Sequence, residues 1–600
     1  MKNLKNKKST SLGEESMKQQ QSLGEVFGSL KFLELFMKRP EMVWPFDTTL
    51  RDGGQTKGIT WTVADKITLI KLIVQAGIRH IEVGWPTPGD KVNPAVFREI
   101  MSDRSYAEAG VTFYAFGSTA KADGGIINAR NPLIKCLLDV KVPNIVIFGK
   151  SWKLHSKEIL GVSEEENFRM IFETISTLTK EGRHVTYDAE HAVDGWLEDR
   201  EYFFRTMDAA ARGGAKRIVL CDTRGNTLLP TWIAFLADVL PWLQARKLPW
   251  GVHIHNDSGV AVDLSLFAVE LGCDQVQGTL GGVGERAGNA DLTTIIAMLR
   301  TKMGIPVVKK HQLELLTPLT RQMYELAGIS MPFNLPIAGE RAFHHDAGTH
   351  IDCWLKDPGS IEHMPAREVG NTTSLGVSNQ IGRAAMYNRL KKIVPNLSRK
   401  DPRIAEVLDI IQSFESEGWL FQNARATLEL IIRNHFGLFR PKFEVVRCDL
   451  HENFAPFDGL PEQEADGILM DSLGQHHTAT IKVRLMEGAS IIGPKTAEGD
   501  GLVNALDLAL RSALQERGGR QRPALFPELR QLELINYNVK ALIDKNGTAA
   551  KVRVTLYWKS NGDIWGTTWV SSSVTEASTK ALIGGYHYFL DWYRRQQEEK

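Results

Sequence analysis

The chain has few cysteines and no long apolar run, and these absences exclude several classes of protein. Its five cysteines are scattered, with no CxxC or Cys/His metal spacing, so neither a disulfide framework nor a structural zinc site is indicated. No apolar run approaches the roughly 20 residues of a membrane span, and residues 1–22 contain no apolar signal core. We therefore expect a reducing, cytoplasmic location and no membrane partner.

The chain also lacks an excess of charge of either sign. Seventy-two basic and 71 acidic residues give a formal net charge of +1, which provides no electrostatic surface for binding nucleic acid. Small ligands recognised by local groups are therefore expected. At 600 residues, the chain exceeds the size at which one hydrophobic core keeps growing, so two or three domains are expected.

Short β-branched or apolar runs alternate with helical-period segments from Val43 to Met303. The predicted strands are 43–46, 80–85, 111–116, 144–149, 184–189, 217–222, 251–255 and 275–279. Eight βα units over roughly 250 residues are typical of a (β/α)₈ TIM barrel, which we assign to residues 41–303. A doubly wound sheet fits less well because no glycine-rich dinucleotide fingerprint follows the first strand.

Three further regions flank the predicted barrel. Residues 1–40 are predicted to be a disordered N-terminal extension, and residues 304–436 a mostly helical connector. Residues 437–600 are predicted to form an α+β domain, with strands at 443–450, 479–486, 534–543, 549–558 and 564–571 and helices near 503–514 and 574–595. This order indicates an internal duplication, an arrangement that commonly accompanies symmetric oligomers and effector pockets.

Polar side chains follow the predicted barrel strands at their C-terminal ends, where barrel enzymes place their chemistry. The candidates are Arg51 and Asp52, Glu82, Glu190, Asp222 and Thr223, His253 and His255, and Asn289. Packing alone does not account for so many polar groups at the ends of apolar strands. The sequence therefore predicts a catalytic rim.

His253 and His255 are two residues apart on a strand, so both imidazoles point to the same face. Together with the Asp52 carboxylate and the Asn289 amide oxygen, they form a mixed nitrogen and oxygen set that suits Mg²⁺, Mn²⁺ or Zn²⁺ and leaves positions open for substrate. Two hydrogen-bonded core histidines would be the better interpretation of an isolated His-x-His pair. The matching positions of Asp52 and Asn289 favour a metal site.

Three other rim residues have both a catalytic and an ordinary interpretation. Arg51 is suited to stabilise a developing oxyanion or to form a rim salt bridge. Glu190 is suited to pair with a general base, to hold a substrate carbonyl, or to remain a surface acid. Thr223 is suited to donate to a substrate carboxylate or to cap a helix.

Three motifs, DTTLRDGGQ, HIHNDSG and GVGERAGN, resemble the signature of the metal-dependent acyl-CoA condensing barrels. This HMG-CoA-lyase-like family includes the 2-isopropylmalate, homocitrate and citramalate synthases. Further segments, at 84–86, 148–152, 187–191 and 220–223, are similar to the citramalate synthase branch. The resemblance extends from Val43 to the end of the chain, and residues 437–600 resemble the regulatory dimer domain of the family.

The resemblance implies an acyltransferase that joins acetyl-CoA to pyruvate in a Claisen-type condensation, giving citramalate and CoA for isoleucine formation. It implies a divalent metal ion bound by Asp52, His253 and His255, with Asn289 nearby or as a further ligand. A homodimer and an amino-acid effector at the C-terminal domain are also implied.

The same resemblance assigns roles around the 2-oxo acid. Arg51 and the ion would stabilise the alkoxide that forms from the ketone of the substrate. Asp52 would contribute to substrate binding through the ion that it holds, and Thr223 would bind the substrate carboxylate. Glu190 would assist proton removal from the acetyl methyl group. His350 would reach over the barrel to complete the acid/base chemistry, from its own or a partner subunit.

The chain departs from the family pattern at Ile361, where the family has a tyrosine that is thought to assist catalysis. Isoleucine cannot donate a proton or a hydrogen bond. One alternative is therefore a barrel without catalysis and with a regulatory role. Another is a 2-isopropylmalate synthase or a related synthase with a different 2-oxo acid. A lyase of the same superfamily is disfavoured because no cysteine-bearing glycine loop lies near the last barrel strand.

Overall fold

The computed structural model describes residues 23–33, 38–121, 127–375, 383–421, 424–452, 477–515, 525–542 and 550–598. These residues form two compact units. The first comprises Met1–His344 with Glu362–Ser374, and the second comprises His345–Ile361 with Leu375–Lys600. Residues 304–436, predicted as a connector, are therefore shared between the two units.

Eight parallel strands close into a barrel in chain order within the first unit. They are β1 (Trp44–Asp47), β2 (His80–Gly84), β3 (Thr112–Ser118), β4 (Asn144–Lys150), β5 (His184–Glu190), β6 (Arg217–Asp222), β7 (Trp250–Ile254) and β8 (Gln275–Gly278). The pairing of β1 with β8, in which Phe46 lies opposite Gln277, closes the barrel. The predicted barrel fold is confirmed, since each predicted strand overlaps an observed one.

Helices surround the barrel and continue beyond it in the first unit. They are α1 (Leu23–Leu33), α2 (Val63–Gln75), α3 (Val92–Ser102), α4 (Arg104–Glu108), α5 (Pro132–Asp139), α6 (Glu164–Lys180), α7 (Ala192–Glu198), α8 (Arg200–Gly213), α9 (Leu229–Arg246), α10 (Ala261–Glu270), α11 (Leu292–Thr301), α12 (Lys310–Leu313) and α13 (Leu316–Leu326). Helix α2 illustrates how they form: Thr62 and Asp65 make a capping box at its start, and Ile67, Ile70 and Ile73 face the core.

Helix α1 corrects part of the prediction for the N-terminal extension, which was expected to be disordered over residues 1–40. Leu30 and Leu33 lie one helical turn apart and pack into the barrel core, and the helix contacts α9. Burial of these two apolar side chains offsets the entropy of ordering a short segment. Residues 1–22 of the predicted extension lie outside the described residues.

The second unit contains two three-stranded antiparallel sheets, ordered β11-β12-β13 and β14-β15-β16. Two short strands, β9 (His344–His345) and β10 (Ser374–Leu375), lie near the points where the chain passes between units. The six strands of the two sheets are β11 (Phe443–Glu452), β12 (His477–Leu485), β13 (Ile491–Gly499), β14 (Glu533–Ala541), β15 (Val552–Ser560) and β16 (Asp563–Ser571). Its helices are α14 (Gly348–Lys356), α15 (Arg383–Ile393), α16 (Arg403–Ser416), α17 (Arg425–His435), α18 (Leu502–Gln515) and α19 (Val574–Glu598).

Each sheet of the second unit is followed by a helix that packs on it, α18 on β12 and β13 and α19 on β15 and β16. The mixed helix and strand content predicted for this part of the chain is therefore confirmed. Strand β13 was not predicted: it contains Gly493 and Pro494 and, among the described strands, pairs only with β12. Proline is tolerated at such an edge because it need not donate to a neighbouring strand.

Short turns of other helix types occur in both units. They are the 3₁₀ turns Gly53–Gln55, Leu280–Gly282, Pro358–Ser360, Ala366–Val369 and Pro527–Gln531 and the π-helical turn His155–Ile159. None of the helices in the described ranges combines the length and the apolar character needed to cross a membrane.

Two adjacent glycines in α19 have opposite surroundings and give a test of core packing. A methyl group at Gly585 would lie 2.2 Å from the fully buried Trp558 indole, whereas one at Gly584 meets nothing within 4 Å. We expect Gly585→Ala to lower the free energy of unfolding by about 1–3 kcal/mol through overpacking. Gly584→Ala should raise it by about 0.5–1 kcal/mol because alanine is the better helix former.

Chemical denaturation of the full chain, followed by tryptophan fluorescence, measures both changes. Equal effects of the two substitutions would contradict the close packing of α19 on the second sheet.

Candidate functional site

Asp52, His253 and His255 meet at the C-terminal end of the barrel. One ligand atom from each lies within 4.8 Å of the others, and all three side chains are buried. The Asp52 Oδ2 atom is 3.1 Å from His253 Nε2 and 4.0 Å from His255 Nε2. Both histidine side chains, carried by β7 and the residue just beyond it, therefore converge on one carboxylate, as the spacing predicts.

Tight turns bring these residues and Asn289 together. Asp52 lies in a turn after β1 in which its backbone N–H donates to the Thr48 carbonyl oxygen at 2.8 Å. Asn289, in the loop after β8, forms an isolated bridge with His255. Its amide Nδ2 donates to Asp52 Oδ2 at 2.7 Å and lies 3.3 Å from His253 Nε2. The four predicted metal ligands are thus adjacent in the structure.

The glycines of GVGERAGN are required by close approach around Asn289. A methyl group at Gly284 would lie 1.9 Å from Asn289 Oδ1, and one at Gly288 would lie 1.9 Å from the Gly282 carbonyl oxygen. Gly288 also has a φ of 88°, which glycine adopts without strain. These positions therefore shape the loop that presents Asn289.

Gln277 on β8 determines which nitrogen of His253 faces Asp52. Its Oε1 lies 2.8 Å from His253 Nδ1, while its Nε2 donates to Asp188 Oδ1 at 3.3 Å. Because Oε1 can only accept, His253 Nδ1 carries a hydrogen. In the neutral ring, the Nε2 lone pair then points towards Asp52 Oδ2 and towards His255 Nε2, which is 3.4 Å away.

Electron-rich atoms that face each other in a buried site need a proton or a metal cation between them. Burial lowers the pKa of His253, but the hydrogen bond and charge of Asp52 more than offset this, so its pKa is raised. Burial and the nearby His253 lower the pKa of His255 to about 3, so this ring is neutral at pH 7. Burial opposes ionisation of Asp52, yet Arg51 and His253 hold its pKa below the usual range. The three side chains therefore fit a divalent cation.

Arg51 lies between two buried acids. Its Nε donates to Glu82 Oε2 on β2, and its Nη1 is 3.3 Å from Asp52 Oδ1. Burial disfavours its charge, but Asp52 and Glu82 outweigh this and raise the Arg51 pKa. The guanidinium also lies 3.8 Å above the Phe116 ring, a cation–π contact that fixes its plane.

Aromatic rings form a wall beside Arg51. The rings of Phe116 and Phe148 stack with centroids 5.2 Å apart, and Trp85 meets both edge-on at 5.6 and 5.4 Å. Trp85 and Phe148 are only partly buried, so they retain exposed faces at this end of the barrel. The wall limits the space available on this side of Arg51.

Thr223 and Glu190 occupy the neighbouring strand ends. The Asp222 carbonyl oxygen, one residue before Thr223, accepts from the His255 backbone N–H at 3.1 Å, so Thr223 adjoins the candidate metal site. The Glu190 carboxylate is 2.5 Å from Lys150 Nζ, opposite it at the end of β4. The His191 backbone N–H donates to Thr223 Oγ1 at 2.9 Å, which links the two strand ends.

Two sequence predictions concern the second unit. His350 lies exposed on α14, and Ile361 follows the 3₁₀ turn Pro358–Ser360. Their predicted relation to the barrel stays a prediction.

Gln277 was not among the predicted site residues. The signal was present, since Gln275 and Gln277 alternate with Val276 on the buried strand β8 and so share one face. A polar residue on the face shared with the candidate metal ligands is itself a candidate to orient one of them.

Comparisons with known proteins cover nearly the whole chain. Residues 43–320 match a family model described as HMGL-like, residues 337–418 one described as homocitrate synthase post-HMGL domain-like, and residues 468–590 one described as LeuA allosteric (dimerisation) domain.

Three curated relatives illustrate the similarity. The chain is 36% identical to an (R)-citramalate synthase of Aquifex aeolicus, over 92% of this chain and 98% of that protein. It is 35% identical to an (R)-citramalate synthase of Geobacter sulfurreducens, over 91% and 97%. It is 28% identical to a probable 2-isopropylmalate synthase of Methanopyrus kandleri, over 91% and 98%.

The contact between Gln277 and His253 predicts that Gln277→Leu weakens metal binding. Without Gln277, His253 loses the acceptor that fixes its tautomer, so we expect the dissociation constant for Mn²⁺ to rise about 10- to 100-fold. Isothermal titration calorimetry on metal-free protein measures this change. Gln275→Leu, on the same face of β8, is the matched control, and an equal loss of affinity in both variants would contradict the role of Gln277.

Proposed function

We propose that this chain, which belongs to the (R)-citramalate synthase family, condenses acetyl-CoA with pyruvate to give citramalate and free CoA. It is thus an acyltransferase of the acetyl-CoA condensing type, and the product serves isoleucine formation. The observation that supports this best is the convergence of Asp52, His253, His255 and Arg51 on one buried end of the barrel.

The proposed cofactor is a divalent ion held by Asp52, His253 and His255, with Asn289 beside them. The mixed nitrogen and oxygen ligands suit Mg²⁺, Mn²⁺ or Zn²⁺. When bound, the ion would act as a Lewis acid on the ketone of the 2-oxo acid.

Arg51 would stabilise the negative charge that develops on the ketone oxygen. The acids on either side hold the guanidinium in place and keep it charged, while Phe116 fixes its plane. A donor fixed before the reaction loses little free energy to reorganisation when the charge develops. The structure therefore supports Arg51 as an oxyanion donor.

Glu190 would accept a proton from the acetyl methyl group, and the resulting carbon nucleophile would attack the ketone carbon. The ketone oxygen then takes up a proton, and water cleaves the thioester to release CoA. The ammonium group of Lys150 orients the Glu190 carboxylate for the first step. Thr223 would donate to the substrate carboxylate, and His350 would complete the acid/base chemistry.

The chain would act as a homodimer, since residues 468–590 match a dimerisation domain. An amino-acid effector at that domain, a role for His350 across subunits and a cytoplasmic location are part of the same proposal.

The assay that tests this function follows thiol release from acetyl-CoA with added Mn²⁺ and a panel of 2-oxo acids. The rate should be highest with pyruvate, and His253→Ala should lower it at least 10³-fold because a metal ligand is lost. His184→Ala, at the exposed start of β5, should retain the activity.

A higher rate with 3-methyl-2-oxobutanoate would support the 2-isopropylmalate synthase alternative. If no thiol is released with any of the 2-oxo acids, both synthase hypotheses are contradicted and the non-catalytic barrel remains. Full activity of His253→Ala would contradict the assigned metal site.

The aromatic wall predicts how substrate size is limited. Replacing Phe148 with alanine removes a ring that packs against Trp85 and Phe116, so a bulkier 2-oxo acid should fit better. We expect the ratio of kcat/KM for 3-methyl-2-oxobutanoate over pyruvate to rise about tenfold. Phe204→Ala, on the outer helix α8, is the control, and an unchanged ratio in Phe148→Ala would place the wall outside the substrate pocket.

A further inference from the structure

The hydroxyl group and the backbone carbonyl group of Thr223 are each hydrogen-bonded to a loop that follows another strand. Its hydroxyl Oγ1 accepts from the backbone N–H of His191, after β5, at 2.9 Å. Its carbonyl oxygen accepts from Nη2 of Arg286, after β8, at 2.7 Å. Both the backbone and the side chain of Thr223 are therefore fixed in position.

Arg286 is itself braced by Asp257, in the loop after β7. Arg286 Nε donates to Asp257 Oδ1 at 2.9 Å, and Nη2 donates to Oδ2 at 3.0 Å. This bidentate salt bridge fixes the plane of the guanidinium group. A lysine keeps the charge but cannot make the same three hydrogen bonds, because its ammonium is a single point of charge.

The two partners of Thr223 share an uncommon backbone conformation. His191 has a φ of 57° and Arg286 a φ of 58°. Only seven non-glycine residues within the described ranges have a positive φ, and two of them make these bonds to one threonine. Such conformations persist where the surrounding structure imposes them, and they cluster at functional sites.

The hydrogen bond from His191 leaves the hydroxyl group of Thr223 with its own hydrogen. A hydroxyl has one donor and two lone pairs, so accepting from a fixed N–H restricts the directions in which it donates. The adjoining backbone is fixed as well, since the His255 N–H donates to the Asp222 carbonyl oxygen at 3.1 Å. Thr223 therefore presents an oriented donor beside the metal-binding histidines.

We infer that Arg286 is a positioning residue, which acts through Asp257 and the Thr223 carbonyl to hold the Thr223 hydroxyl where it donates to the carboxylate of the 2-oxo acid. This inference rests on the proposed function, in which Thr223 binds that carboxylate. The inference adds that the salt bridge between Arg286 and Asp257, on the loops after β8 and β7, helps to set the affinity for the 2-oxo acid.

The test is a double-mutant cycle of Arg286→Lys and Thr223→Val, with kcat and KM for pyruvate measured at saturating acetyl-CoA and Mn²⁺. Each single substitution should raise KM about tenfold, as expected for a lost hydrogen bond to a charged group, with kcat within about threefold. The double variant should be within about twofold of Thr223→Val, because the two residues act as one unit. Asp257→Asn should behave as Arg286→Lys.

The control is Arg39→Lys, which alters a similar two-pronged pair with Glu270 on the outside of the barrel and should leave KM unchanged. If Arg286→Lys raises KM by the same factor in both backgrounds, Arg286 acts independently of Thr223 and the inference is wrong. Loss of Mn²⁺ binding in Arg286→Lys, measured by calorimetry, would place its role in the metal site and also overturn it.

Failure of the proposed function gives a different result, since wild-type protein would then release no thiol with pyruvate. In that case, the pyruvate dissociation constant in the presence of Mn²⁺, measured by calorimetry, replaces KM in the same cycle. Non-additive losses of affinity would support the Arg286 inference, and additive losses or wild-type protein that does not bind pyruvate would overturn it.

Discussion

The catalytic end of the barrel depends on the burial of one negative charge, the carboxylate of Asp52. A buried anion is costly unless it is paired and hydrogen-bonded. Arg51 approaches one carboxylate oxygen, while His253 and Asn289 approach the other. These partners come from the turn after the first strand, the seventh strand and the loop after the eighth. The need to neutralise Asp52 thus brings together the groups to which we assign the condensation.

The surrounding residues determine how each partner of Asp52 is presented. Gln277 fixes the ring of His253, and Glu82 with Phe116 fixes the guanidinium of Arg51. Burial raises the pKa of Asp188 to about 7, so this neighbour of Gln277 adds less negative charge at neutral pH than an exposed aspartate does. A site with its donors already in place needs little rearrangement when charge develops on a substrate.

Much of this arrangement could be predicted from the sequence. Alternating strands and helices gave the barrel, and the two-residue spacing of His253 and His255 placed both rings on one face. Contacts that depend on loop conformation could not be predicted in the same way. The bond from Arg286 to Thr223 joins residues 63 positions apart, and Arg286 has a positive φ that no local pattern indicates. Strand β13 was missed because an edge strand tolerates the glycine and proline that end most strands.

The positions of the proposed metal ligands also bear on how the barrel holds together. Strands β1 and β8 form the seam that joins the start of the barrel to its end. Asp52 lies just beyond β1, Asn289 follows β8, His253 is on β7 and His255 comes directly after it. A cation bound by all of them would cross-link this seam, because it would join segments about 200 residues apart in the chain. A ligand that binds only the folded state stabilises that state by mass action, so the same ion would also raise the free energy of unfolding of the whole barrel.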